Sequence, residues 1–117
     1  MSFRWDEYLA LARDLSQKGG EAATRSAINR AYYAAYQTAR HHRGCRNAQV
    51  TRGGSHGAVW RTLKESGNPD WRKAGNQGRD ILENRLKADY DDDVPALPSM
   101  MYRTFRMTEE ILRLLGS

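Results

Sequence analysis

The sequence predicts an all-α fold, a single-domain bundle of about five helices. Three observations predict it. Apolar residues recur at helical spacing in five segments. No stretch alternates apolar and polar residues as a half-buried strand does. Gly, Asn and Pro punctuate the chain between the periodic segments and leave only short connections. A chain of 117 residues fits one domain, taken as 1–117, with one modest core that needs no staples.

Trp5, Tyr8, Leu9, Ala12 and Leu15 share one face of a first helix, which Gly19-Gly20 ends. A second helix is expected from Glu21 to about Arg43. Its inner stripe is Ala23, Ala27, Ile28, Ala31, Ala34, Ala35 and Ala39, small residues that let a neighbour approach closely. Gly44 to Gly54 reads as a loop. Ser55 is the expected N-cap of a short third helix, His56 to Glu65. Gly67-Asn68-Pro69 is a turn, and Pro69-Asp70 opens a fourth helix that runs to about Tyr90. Val94 to Pro98 reads as a linker. Met101, Thr104, Thr108, Ile111, Leu112 and Leu115 stripe the last helix. No segment repeats internally.

The composition narrows the function classes. No apolar run approaches the length of a membrane span, and Met1 to Glu7 lacks the apolar centre of a signal peptide. Cys45 is the single cysteine, so no intrachain disulfide forms, which favours a reducing cytoplasm. The formal charge is +5 and fifteen of the 19 basic residues are arginine. Guanidinium forks suit phosphates and stack on bases, so nucleic acid is a reasonable partner; solvated arginine on helix faces is the plainer account.

Three features carry polar groups that need explaining. Tyr32, Tyr33 and Tyr36 cluster on the second helix beside Arg30, with Tyr33 on the side of Arg30 and Gln37, and Tyr32 and Tyr36 on the side of Asn29. Such tyrosines serve either as core residues with satisfied hydroxyls or as platforms for bases and phosphates. Arg85 continues the apolar series Ala74, Gly78 and Ile81, so it should face inward, and an inward arginine needs an anion. Asp89, one turn on, is its local partner; a phosphate is the functional alternative. His56 opens the third helix, either as part of a polar cap or as an acid–base group.

Other candidates weigh less. Asp89, Asp91, Asp92 and Asp93 read as a helix stop paired with arginines rather than a metal site. His41-His42 is expected to be exposed. Cys and His spacings fit no zinc pattern, and there is no phosphate loop, dinucleotide fingerprint or Ser/His/Asp signature. Gly53-Gly54 alone is weak support for phosphate binding. No metal or other cofactor is expected.

Arg30-Ala-Tyr-Tyr-Ala-Ala-Tyr36, then Ser55-His56-Gly57-Ala58-Val59-Trp60, then Arg85-Leu-Lys-Ala-Asp-Tyr90 occur in that order. In this the chain resembles the HEPN domains (higher eukaryotes and prokaryotes nucleotide-binding), specifically a branch of small prokaryotic members, over roughly residues 5 to 115. The resemblance implies a helical bundle that forms a homodimer through its long helices. It also implies RNA or nucleotide as ligand, a toxin–antitoxin or phage-defence setting, and a minimal nucleotidyltransferase as antitoxin partner. Many such proteins are metal-independent endoribonucleases. Their motif is an arginine followed four to six residues later by a histidine, at a site shared across the dimer, with the 2′-hydroxyl as nucleophile. Here Arg85 matches the arginine, but the residue five positions on is Tyr90. A tyrosine, with pKa near 10, is a poor base at neutral pH.

Two function classes follow, with a third beside them. In a binding module, Arg30, Tyr33, Tyr36 and Arg40 contact RNA or nucleotide. In an endoribonuclease, Arg85 holds the phosphate, Tyr90 and Asp89 position groups, and His56 or Tyr33 assists. In a purely structural adaptor, the alanine face from Ala23 to Ala39 is only a close-packed seam.

Overall fold

The structure is a computed structural model and describes residues 3–46, 48 and 56–116. Among these residues it is all-helical, with five α-helices and no strand. They are α1 (Glu7–Lys18), α2 (Glu21–Arg40), α3 (His56–Lys64), α4 (Pro69–Tyr90) and α5 (Leu97–Gly116). The expected Ser55 cap, Gly53-Gly54 and most of the expected loop lie outside the described residues. No described helix is long and apolar enough to cross a membrane.

α2 is the central element, with α1, α3, α4 and α5 all packed against it. Its alanines explain this. Ala27, Ala31, Ala34, Ala35 and Ala39 are fully buried, so neighbouring backbones come close. Ala23, expected in the same stripe, is only half-buried, because the stripe starts one turn later. Gly19 and Gly20 both take positive φ, 75° and 89°, which reverses the chain between α1 and α2 at no side-chain cost.

Two helix ends differ from expectation. α2 stops at Arg40 rather than about Arg43. His42 turns extended, and its Nδ1 accepts from the Gly44 N–H at 2.9 Å, which caps a short 3₁₀ turn over Arg43–Cys45. α5 already includes Leu97 and Pro98, so Pro98 is not linker. A proline in the first turn has no amide hydrogen to leave unsatisfied. α3 closes at Lys64, one residue early. α4 starts as expected: the Asn68 side chain accepts from the Asp70 and Trp71 amides at 2.9 and 3.3 Å.

The end of α4 is fastened by Arg25 of α2. Its guanidinium donates to the carbonyls of Ala88 (2.9 Å), Asp91 (2.6 Å) and Asp92 (2.9 Å). The acidic run therefore ends its helix on an arginine, as expected, but the arginine takes backbone oxygens rather than the carboxylates of Asp91 and Asp92.

Candidate functional site at the junction of α2, α3 and α4

α4 meets α3 at unusually short range. A Cβ on Gly78 would stand 2.0 Å from Trp60 Cε3, and one on Gly75 would stand 2.5 Å from the Lys64 amide nitrogen. Only glycine fits these two positions. The close approach seats Trp60, fully buried, against Tyr32 of α2.

From there a chain of hydrogen bonds runs outward. Trp60 Nε1 donates to the Tyr32 hydroxyl at 3.1 Å, and that hydroxyl lies 2.7 Å from His56 Nδ1. Tyr32 already accepts from Trp60, and among the described residues His56 Nδ1 is the remaining partner for its own O–H. We therefore assign Nδ1 as the acceptor and place the imidazole proton on Nε2. The ring is held flat against Tyr36, 4.0 Å between centroids. Burial, then the nearby charge of Arg85, lowers the His56 pKa from its ordinary 6.5, so the ring is neutral at neutral pH. The cap expected at the start of α3 falls on Ser55, outside the described residues; the described contacts of the His56 ring are with Tyr32, Tyr33 and Tyr36, and nothing in the third helix's own sequence shows these. Burial likewise raises the Tyr32 pKa.

Arg85 faces inward, its side chain 12% exposed. The guanidinium lies 5.4 Å from the Tyr33 ring centre and 5.7 Å from that of Tyr32, and Nη2 donates to the Tyr33 hydroxyl at 3.2 Å. Nε stands 3.0 Å from Asp89 Oδ2, yet its N–H does not aim at that oxygen, so the pair is ionic without a hydrogen bond from Nε. The same oxygen accepts from Asn29 Nδ2 at 3.0 Å. Nη1 has no hydrogen-bond partner among the described residues.

The predicted residues divide accordingly. Arg85, Asp89, His56, Tyr33 and Tyr36 come together here. Tyr36, only 5% exposed, serves the core by stacking on His56. Arg30 flanks the cluster; its guanidinium sits 5.4 Å from the Tyr33 ring centre and 4.8 Å from that of Tyr8, and it donates to Asn29. Arg40 is exposed and donates to Gln37 at 3.3 Å. Tyr90 stands 72% exposed in the last turn of α4, outside the cluster. Tyr32 and Trp60, the residues that orient His56, were not among the sequence-predicted site residues; the Gly75/Gly78 pair is the sequence signal that marks the close contact holding Trp60.

Other reactive groups sit elsewhere. Cys45 is buried and its thiol is pushed up to about 11 by that burial, which leaves it unreactive. His41 is exposed as expected, but His42 is half-buried, edge-on to Trp71 at 5.0 Å. Among the described residues no three His, Cys, Asp or Glu side chains gather as a metal site would require. Comparison with protein-family models, curated proteins and solved structures finds no match to this chain.

Proposed function

We propose that this protein binds RNA or nucleotide phosphate at the Arg85–His56–Tyr33 cluster, as a small HEPN-like member of a toxin–antitoxin or phage-defence system. The observation that carries the reading is the Trp60–Tyr32–His56 chain. It presents a neutral histidine, with its proton on Nε2, beside an inward guanidinium. Arg85 Nη1, His56 Nε2–H and the Tyr33 hydroxyl then form a set of donors for phosphate oxygens. A homodimer belongs to the reading: Leu86 and Tyr90, one turn apart on α4, stay 37% and 72% exposed. A nucleotidyltransferase-type protein is the partner this reading expects.

The test is titration of a short single-stranded RNA into protein labelled at histidine nitrogen. The His56 ring signals should move in the wild type. They should stay still in Arg85→Ala. In Arg85→Lys binding should weaken about tenfold, the worth of one charge-assisted hydrogen bond. RNA binding with an unmoved His56 signal would overturn the reading.

One observation favours a second reading, metal-independent RNA cleavage: His56 is held neutral next to a cation. A 2′-hydroxyl would give its proton to His56 Nε2 and attack phosphorus. The P–O5′ bond would break, water would protonate the leaving oxygen, and Arg85 would stabilise the phosphorane charge. That chemistry needs the opposite tautomer, with Tyr32 accepting twice. Cyclic 2′,3′-phosphate ends formed in chelator, and lost in His56→Gln, would select this reading.

A further inference from the structure

A second polar surface lies away from the Arg85 cluster and shares no residue with it. Between α1 and α5 a groove of about 710 Å³ opens, lined in part by Arg13, Tyr102, Arg103, Phe105, Arg106 and Glu109. Three arginines against one glutamate leave it positive. Arg13 spends its charge on Glu109, 2.8 Å away. Arg103 and Arg106 are exposed, and among the described residues neither has a carboxylate within ion-pair distance.

The same groove is lined by an aromatic ring. Tyr102 is 58% exposed, an unusual state for so large a side chain with apolar faces. Phe105, itself buried, meets it edge to face at 6.3 Å and 87°, which braces one side of the ring. Tyr102 and Arg106 are four residues apart and so share a face of α5, while Arg103 follows Tyr102 in the chain and lines the same groove.

We infer that this groove is a binding surface for single-stranded polynucleotide. Backbone phosphates rest on Arg103 and Arg106, and one base stacks on Tyr102. An acidic peptide would satisfy the arginines but leave the ring without a use, whereas exposed arginines and an exposed aromatic lining one groove are what a single strand requires. The inference is independent of the Arg85 reading.

The experiment is fluorescence anisotropy with a labelled ten-nucleotide oligouridylate and the full chain, over a series of salt concentrations. In Arg103→Ala/Arg106→Ala, affinity at low salt should fall at least about tenfold. The slope of log affinity on log salt should shrink by about 1.4, the loss of two single-strand phosphate contacts. Tyr102→Ala should weaken binding about tenfold with the slope unchanged, as loss of one stacked base does. In the same samples the His56 ring signals should respond to RNA as in the wild type, which keeps this surface distinguishable from the Arg85 cluster. Wild-type affinity and slope in the double variant would overturn the inference. So would equal competition by polyglutamate of matched charge, which would make the groove a general polyanion surface.

Discussion

Tyr32, Tyr36 and Trp60 fill one half of the core, and Ala27, Ile28, Ala31, Met100 and Met101 fill the other; α2 serves both. In the aliphatic half, buried polar atoms settle on neutral partners. Thr108 Oγ1 donates to the Ala31 carbonyl at 3.1 Å, and Thr104 Oγ1 to Met100 at 2.8 Å while accepting from Asn84 at 3.1 Å. Among the described residues no ionisable side chain is fully buried there. In the aromatic half, the polar atoms join three helices and lead to a histidine and an arginine near the surface. The difference separates two duties. The aliphatic half supplies non-directional burial. The aromatic half supplies direction, because each hydrogen bond fixes the next side chain, and a charged group can be held only where such partners exist.

The contrast can be tested by breaking each half. The largest effect should come from Gly78→Ala. The new Cβ would overlap the Trp60 ring, and destabilisation of about 3 kcal/mol is expected by urea unfolding, at the upper end for overpacking. The His56 ring signals should shift with it. Next is Arg25→Ala at the rim of the aliphatic half. It strips three carbonyls of a charged donor and should cost about 2 kcal/mol, with Arg25→Lys recovering part. Met101→Leu, inside the aliphatic half, should cost less than about 1.5 kcal/mol and leave His56 unmoved.

The smallest effect is a pH dependence confined to the aromatic half. His56 and His42 both have pKa values lowered from 6.5, chiefly by burial. The unfolded chain therefore binds more protons below pH 6.5 than the folded one, and stability rises with pH in that window. Their contribution is full above 6.5 and is lost as the pH falls. His56→Gln should flatten this slope in urea unfolding measured across pH 5 to 7; an unchanged slope would assign it elsewhere.

The same division governs what the sequence disclosed. Periodicity was enough for all five helices, and the series Ala74, Gly78, Ile81, Arg85 was enough to turn Arg85 inward and pair it with Asp89, because these relations lie within one helix. The Trp60–Tyr32–His56 chain was not legible. It joins residues 24 and 28 positions apart, so only the packing of α3 against α2 reveals it. Helix ends failed where a side chain overrode propensity, as His42 does after Arg40, or where a proline was harmless in a first turn, as Pro98 is. Tyr90 follows Arg85 at the spacing of a motif, yet it stands exposed while Arg85 is turned inward; His56, from another helix, is near enough to feel the Arg85 charge.

The central claim is that the inward guanidinium of Arg85, rather than basic charge in general, recognises phosphate. The most direct measurement compares RNA affinity in Arg85→Ala with that in Arg79→Ala, an exposed arginine on the same helix, so that both variants lose one charge. The account predicts a loss of about tenfold or more for Arg85→Ala, against about twofold or less for Arg79→Ala. Equal losses in the two variants would contradict it.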